Sequence, residues 1–176
     1  LLRWTLARSL FRDLETVAAA HGCSSTHFFM ALLALYFSRV TDGREEIVIG
    51  MPVHNRTRAD QKRMVGMFTS QIPVATGVDA GITFASAMQG VAAEIKRCYR
   101  YQRFPISEIN RHFGVGTRAS THLFDVYFSM EKFPADADIP GVRTSISHCD
   151  HRHTGSALSV CVADYEQARG LDIRFY

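Results

Sequence analysis

The spacing of apolar residues changes along this chain, and the change limits the folds available to it. In roughly the first hundred residues, apolar side chains recur every three or four positions, as Phe28, Leu32, Tyr36 and Val40 do, which is typical of a helix with one buried face. In the last third they alternate with polar residues, which is typical of strands. The pattern predicts long helices that pack on a sheet.

Helix ends are marked by hydroxyl residues at the starts and by glycines at two of the stops. The predicted helices run from about Ser9 to Gly22, from Ser24 or Ser25 to Gly43, from Thr83 to Tyr99 and, as a short helix, from Phe104 to His112.

Strands are predicted where residues are β-branched or alternate in polarity. The first is Ile47-Val48-Ile49, closed by Gly50 and Pro52, and residues 54–63 form a polar loop or short helix before the next strand. The other predicted strands are Val65–Val74, 124–130, 142–146, 158–162 and 171–175. The expected fold class is α/β: a two-layer sandwich in which a mixed, mostly antiparallel sheet is covered by the long helices.

Length and composition fit one domain over residues 1–176. A chain of 176 residues with 47% hydrophobic content can bury on the order of 70% of its unfolded surface in one core. The net charge is +3, and the charged residues are scattered along the chain instead of being gathered into blocks, which argues against nucleic-acid binding. The longest apolar run, Phe28–Phe37, is about half of what a membrane span requires, so no span is predicted.

The cysteines and the chain ends indicate the setting of the protein. Cys23, Cys98, Cys149 and Cys161 are widely spaced without a C-x-x-C pair, which favours reduced thiols and a cytoplasmic location. The chain starts without Met or a signal-peptide pattern and stops within a predicted strand. We therefore expect a piece of a longer polypeptide.

Two linked stretches carry a family resemblance. They are Ile49–Arg56, which contains Pro52-Val53-His54-Asn55-Arg56, and Met64–Val74, which contains Val65-Gly66-Met67-Phe68. Together they resemble the condensation domain of nonribosomal peptide synthetases, where a strand ending in Pro-Val-x-Asn-Arg precedes a strand reading Val-Gly-x-Phe-Val-Asn-Thr-x-Pro. Two later stretches fit the same order: Tyr101–Ile106 stands where the family has His-Gln-Asp-Tyr-Pro-Phe, and Leu123–Ser129 where it has Pro-Leu-Phe-Gln-Val-Met-Phe-Ser.

The sequence also departs from the family pattern. Ser70 stands where the family has Asn, so a carboxamide is replaced by a hydroxyl, and Gly116–His122 is a degenerate form of an Arg-Asp-x-Ser-Arg-Asn-Pro run. The catalytic His-His-x-x-x-Asp-Gly motif is missing from these 176 residues. The resemblance therefore implies the C-terminal, chloramphenicol acetyltransferase-like lobe of a two-lobe domain, inactive on its own.

The resemblance further implies a role and a set of partners. The lobe would form one wall of a tunnel in which a carrier-bound acyl or peptidyl thioester is transferred to a carrier-bound amino acid amine. No cofactor would bind directly, because the phosphopantetheine arms belong to carrier protein domains, and the N-terminal lobe would be the other partner. No metal is predicted. The expected tunnel residues, each with an alternative as core or surface residue, are Phe68, Ser70, Gln71, Asn55, Arg56, Gln102 and Phe104.

Other interpretations stay open at this point. The parent could carry out epimerisation, cyclisation or ester formation, or the domain could dock carrier proteins or another partner without chemistry. The cluster His148-Cys149-Asp150-His151-Arg152-His153 offers five potential metal ligands, but its spacing fits no common zinc site and favours a strand end with a polar turn. An exposed lobe interface predicts self-association.

Overall fold

Four helices and six strands make up the described part of the chain. The computed structural model describes residues 1–79, 81–115, 122–132, 142, 155–164 and 170–176. The elements are β1 (Leu2–Leu6), α1 (Arg8–Ala20), α2 (Ser25–Val40), β2 (Glu46–Val53), a single 3-10 turn (Gln61–Arg63), β3 (Ser70–Gly77), α3 (Phe84–Tyr99), α4 (Ile106–His112), β4 (Val126–Lys132), β5 (Leu158–Asp164) and β6 (Leu171–Phe175).

The strands form one mixed sheet with the order β1-β6-β5-β4-β2-β3. The pairs β1–β6, β2–β3 and β5–β6 are antiparallel, and β2–β4 and β4–β5 are parallel. This sheet confirms the predicted α/β class. Leu2 lies opposite Phe175 in the β1–β6 pair, so residues near both ends of the chain meet at one edge of the sheet.

The core lies between one face of the sheet and the helices. Met30 of α2, Met88 of α3 and Ile49 of β2 are completely buried. The rings of Phe29 and Phe128 stack with centroids 6.2 Å apart, which joins α2 to the central strand β4. Burial of such side chains is the main favourable term in the stability of the fold.

The predicted helices are confirmed, and local signals explain their ends. Ser24 accepts a hydrogen bond from the backbone of His27, whose side chain accepts one from the Ser24 backbone in return. Thr83 caps α3 through the Ser86 backbone N–H. Gly22 has φ +69°, the left-handed conformation expected after α1.

The strand bounds differ most from the prediction at β2 and β3. β2 continues through Gly50 and Pro52 to Val53, because the parallel ladder to β4 covers only Ile49 and Gly50 and a proline beyond it interrupts nothing. β3 begins at Ser70, not at Val65, because residues 64–68 belong to a loop in which Val65 is fully exposed. The sequence analysis also missed β1, although Leu2–Leu6 alternates in polarity.

Gly50 leaves room for an aromatic ring on the face of the sheet opposite the core helices. A Cβ atom at this position would lie 2.2 Å from the ring of Phe124. The Phe124 ring in turn stacks on Tyr127, with centroids 6.3 Å apart. The glycine of one family-like stretch and the phenylalanine of a later one therefore form a single packing unit.

Several predictions fall outside the described residues: the 142–146 strand beyond Val142, the His148–His153 cluster with Cys149, and the Gly116–Thr121 run. Within the described ranges, no group of three or more His, Cys, Asp or Glu side chains could hold a metal ion. In the same ranges, no single helix has the length and apolar composition to cross a membrane, whereas α1 and α2 taken together, with a 92° bend between them, have both.

Candidate functional site

A crevice lies at the carboxyl ends of two neighbouring parallel strands, β2 and β4. In open α/β sheets, ligands bind at such strand ends. The crevice, here called the strand-end crevice, has a volume of about 380 Å³. Its walls come from residues 51–54, residues 128–132, Thr26, Thr69 and Tyr99.

The loop after β2 begins and ends at the crevice, at His54 and Thr69, and Arg56 holds the loop in shape. The guanidinium donates to the carbonyl oxygens of Met64 and Gly66, both at 2.8 Å, and to that of Gln61. It also lies 4.1 Å from the centre of the Phe68 ring. The Arg56 side chain thus fixes residues 61–68 at four points. These contacts hold the segment as a loop, although the spacing of its apolar residues predicts a strand.

Asn55 precedes this arginine in a strained backbone conformation. Its φ is +52°, in the left-handed region that asparagine tolerates better than most residues. Its Oδ1 atom is buried and has no hydrogen-bond partner among the described residues. The structure therefore places Asn55 and Arg56 at the turn from β2 into the loop.

Ser70 and Gln71 point to opposite faces of the sheet, because side chains alternate along a strand. Ser70 lies opposite Val53, on the half-buried side that faces the helices, and Gln71 lies opposite Pro52 on the other side. Thr69, one position earlier, is the residue of this stretch that lines the crevice.

A second and larger cavity covers the face of β2 and β3 away from the core helices. This open-face cavity has a volume of about 590 Å³. Its floor is formed by Val48, Pro73 and Ala75, and α3, α4 and the segments that follow them supply Tyr101, Phe104, Ile109, Phe113 and Leu123. Gln71 and Phe104 therefore share this cavity.

Gln102 has a structural contact. Its amide nitrogen donates to the Tyr99 carbonyl oxygen at 3.0 Å, which satisfies a carbonyl at the end of α3. Of the seven predicted site residues, the structure joins Gln71 with Phe104 and Arg56 with Phe68, and it places Asn55, Ser70 and Gln102 separately.

Glu94, Arg97 and Cys98 beside the open-face cavity each keep one protonation state at neutral pH. Arg97 lies 2.6 Å from Glu94 and lowers the pKa of that carboxyl group. Burial, reinforced by the neighbouring Glu94, raises the pKa of the Cys98 thiol to about 11. The Cys98 Sγ donates to the Pro73 carbonyl oxygen at 3.4 Å. These groups shape and orient, and they do not exchange protons near pH 7.

The sequence analysis missed the wall of the strand-end crevice by one position in two places. His54 precedes the predicted Asn55, and Thr69 lies between the predicted Phe68 and Ser70. It also missed Ser129 and Met130, because nothing in the sequence shows that β2 and β4 are parallel neighbours. The i, i+3, i+4 and i+7 spacing of Glu94, Arg97, Cys98 and Tyr101 was the available signal for the open-face cavity.

Comparisons with known proteins agree on one family. A family model described as "Condensation domain" matches residues 2–168. Surfactin synthase subunit 1 of Bacillus subtilis is 30% identical over 118 residues, 67% of this chain and 3% of that protein. Tyrocidine synthase 3 of Brevibacillus parabrevis is 30% identical over 135 residues, 74% of this chain and 2% of that protein.

Solved structures show the same fold. The first condensation domain of the CDA synthetase superimposes with a TM-score of 0.77 at 19% identity, covering 99% of this chain and 38% of that one. The condensation domain of the Monacolin K polyketide synthase MokA gives a TM-score of 0.81 at 17% identity, covering 99% of this chain and 40% of that one. The chain spans less than half of these solved chains and a few per cent of the curated relatives.

Proposed function

The chain belongs to the condensation domain family, and from this premise we propose that it is the C-terminal lobe of such a domain and forms one wall of its substrate tunnel. In that tunnel a carrier-bound acyl or peptidyl thioester is transferred to the amine of a carrier-bound amino acid. The phosphopantetheine arms of two carrier protein domains bring in donor and acceptor. The reaction is an amide-forming acyl transfer carried out by the parent polypeptide.

The observation that carries this proposal is the strand-end crevice together with the fixed loop that begins and ends at it. A wall contributes to catalysis by positioning, and complete alignment of two reactants can be worth about 7 to 11 kcal/mol. Positioning requires rigid groups, and the four contacts of Arg56 supply rigidity to the loop beside the crevice. We retain Phe68, Ser70, Asn55 and Arg56 as proposed tunnel residues beside the crevice, and Gln71, Gln102 and Phe104 as proposed residues further along the substrate path.

The proposal assigns proton transfer to the N-terminal lobe. The chain incubated with acyl-loaded and aminoacyl-loaded carrier proteins is expected to form no amide, as followed by intact-protein mass spectrometry. Addition of the N-terminal lobe of the same parent is expected to restore transfer. Transfer by the chain alone would contradict the division of labour between the lobes.

Crevice variants test the wall itself in the complete condensation domain. Thr69→Trp fills the crevice and is expected to lower the transfer rate at least tenfold, because the reactants lose alignment. Thr16→Trp adds the same side chain on the exposed surface of α1 and is the matched control. Equal rates for the two variants would show that the crevice is not part of the substrate path.

His54 separates a positioning role from a catalytic one. His54→Ala is expected to lower the rate a few-fold and to leave the pH dependence of the rate unchanged. If the variant abolished transfer and removed a titration from the pH–rate profile, the general base would lie in this lobe and the proposal would fail.

The proposal also includes contact with the N-terminal lobe and self-association when that lobe is absent. Exposed apolar side chains at Val65 and Met67 of the loop, 104% and 94% accessible, are surfaces that such contacts would cover. Light scattering of the chain at high concentration is expected to show a dimer or a larger species. Addition of the N-terminal lobe is expected to dissociate that species. A monomer at all concentrations would exclude self-association.

A further inference from the structure

Two segments that are far apart in the sequence bring cationic side chains together. Residues 58–63 and 94–103 contain seven Lys or Arg residues and two acidic ones, whereas the whole chain has a net charge of only +3. Arg103 joins the two segments, because its Nη2 atom donates to Thr57 Oγ1 at 2.7 Å. Charges that are scattered along the sequence are therefore gathered in the folded chain, in a region here called the basic surface.

The loop segment of the basic surface is held in a compact shape. The Gln61 Oε1 atom accepts hydrogen bonds from the backbone N–H groups of Thr57 and Arg58, both at 3.0 Å. Residues 61–63 form the 3-10 turn that follows. Together with the contacts of Arg56 described above, these bonds hold the backbone that carries the cations of the loop in one conformation.

Most of the cations of the basic surface are not neutralised by ion pairs. Arg58 pairs with Asp60 at 3.0 Å, and Arg97 pairs with Glu94 at 2.6 Å. Five others are exposed and have no acidic side chain within ion-pair distance among the described residues: Lys62, Arg63, Lys96, Arg100 and Arg103. The helix dipole accounts for cations in the last turn of α3, but it does not account for a second group in the loop beside them. Like charges repel, and an anionic partner would relieve that repulsion.

The basic surface lies beside the strand-end crevice. Tyr99 belongs to one of its segments and lines the crevice, and His54, four positions before the other segment, lines it as well. The hydrogen bond of Arg103 keeps the two segments together at this place. A macromolecule that inserts a flexible group into the crevice would therefore rest on the basic surface.

The aromatic residues of this region favour a protein partner over single-stranded nucleic acid. Nucleic-acid platforms combine cations with aromatic rings on which bases stack. Here Tyr99 lines the strand-end crevice, whereas Tyr101 and Phe104 line the open-face cavity, and residues 58–63 contain no aromatic residue. An acidic protein surface needs no such platform, because complementary charges suffice to orient it.

We propose that the basic surface docks an acidic face of a carrier protein domain and thereby directs the arm of that carrier into the strand-end crevice. The inference rests on the tunnel role proposed above, and it adds the surface that the carrier contacts and the charge that attracts it. Complementary charges raise the rate of encounter, and salt weakens this effect. The basic surface should therefore determine the KM for the carrier and leave the chemical step unchanged.

Charge reversal in the complete condensation domain tests the surface. The basic-surface variant combines Lys62→Glu, Arg63→Glu and Arg100→Glu. It is expected to raise the KM for at least one of the two loaded carrier proteins by about tenfold or more and to leave kcat within about twofold. Raising NaCl from about 50 to about 500 mM should raise the KM of the unmodified domain several-fold and change that of the variant little.

A control variant with the same change in charge separates a local effect from a general one. It reverses three exposed cations elsewhere on the chain, by Arg12→Glu, Arg39→Glu and Arg44→Glu. This control is expected to keep the KM of the unmodified domain for both carriers. Equal KM values of the two triple variants for both carriers would overturn the docking proposal.

Soluble thioesters distinguish a failure of docking from a failure of the tunnel role. N-acetylcysteamine thioesters of donor and acceptor have no carrier protein, so the basic-surface variant should transfer them as fast as the unmodified domain, which also shows that the variant is folded. If docking failed, this transfer would leave the tunnel role standing. Loss of the transfer in the variant would overturn the docking proposal, because the cations would then act on the reactants. Tighter binding of a single-stranded oligonucleotide than of the carrier protein, measured by fluorescence anisotropy, would overturn it in favour of nucleic acid.

Discussion

The two faces of the sheet differ in how completely they are covered. The face toward α2 and α3 is apolar and buried: Phe128, Val74 and Val162 are at most 1% exposed. The opposite face carries Phe124, Tyr127, Ser129 and Gln71, which are only partly covered or exposed. Stability resides on the first face, and the second face and the strand ends keep cavities and polar groups available.

At the β1–β6 edge, by contrast, ion pairs lie on both faces of the sheet. On the open face of the β1–β6 edge, Asp172 pairs with Arg3 at 3.1 Å and with Arg174 at 2.6 Å. On the helix side of the sheet, Arg8 at the start of α1 forms a two-point pair with Asp164 at 2.6 and 3.2 Å. Asp164 raises the pKa of Arg8, whereas burial lowers the pKa of Arg174. Ion pairs therefore support both faces at this edge, and the apolar difference between the faces is concentrated in the middle of the sheet.

Adjacent residues of β4 test this contrast most directly. Phe128→Ala is expected to lower the free energy of unfolding by about 4 kcal/mol, because it leaves a cavity beside Phe29 in the core. Tyr127→Ala removes a ring of similar size from the open face and is expected to cost about 1 to 2 kcal/mol. Chemical denaturation monitored by circular dichroism measures both. Equal losses would show that the open face is packed as tightly as the core.

Gly50 is a tightly packed position on the open face. Gly50→Ala is expected to lower the free energy of unfolding by about 2 to 3 kcal/mol, because the new methyl group would overlap the Phe124 ring. Gly77→Ala is the control in the neighbouring strand, where an added Cβ meets nothing within 4 Å. The double variant Gly50→Ala with Phe124→Ala should recover part of the loss, and a failure to do so would point to a different cause.

A substitution of Arg56 tests how far this side chain makes the loop of residues 61–68 rigid. Arg56→Lys keeps the charge but loses the planar fork that reaches three carbonyl oxygens, and it is expected to cost about 1 kcal/mol of local stability. Hydrogen exchange of residues 61–68 should accelerate about fivefold as a result. Arg58→Ala, which removes an exposed pair with Asp60, should leave that exchange unchanged.

The smallest expected effect is a difference in alkylation rate among the cysteines, which reports how buried each thiol is. Burial raises the pKa of Cys98 to about 11 and that of Cys161 to about 12, and a raised pKa leaves less thiolate at a given pH. Burial also raises the pKa of Cys23, but by less, so at pH 8 iodoacetamide should label Cys23 before Cys98 and Cys161, as read by peptide mass spectrometry. Labelling of Cys98 should rise about tenfold per pH unit below its pKa, and Glu94→Gln should accelerate it by removing a negative charge. Rapid labelling of Cys161 at pH 8 would contradict this order and show that solvent reaches this thiol on the open face.

Helices could be predicted from the sequence because their signals are local. The cap at Ser24 and the apolar spacing of α2 lie within a few residues of each other. Strand neighbours depend on residues far apart, such as Ile49 beside Val126, and no local pattern reports that pairing. The same holds for the site: Arg56 and Phe68 were predicted from a motif, whereas the open-face cavity, with Ala75 on its floor, exists only once α4 contacts β3.

The antiparallel pairing of β1 with β6 has a mechanical consequence. Because Leu2 lies opposite Phe175, force applied at the two termini would load the hydrogen bonds of this pair one after another and would not shear them together. Tension along a longer polypeptide would unzip β1 from β6 at low force, while the layer that contains α2 and β2 stayed intact.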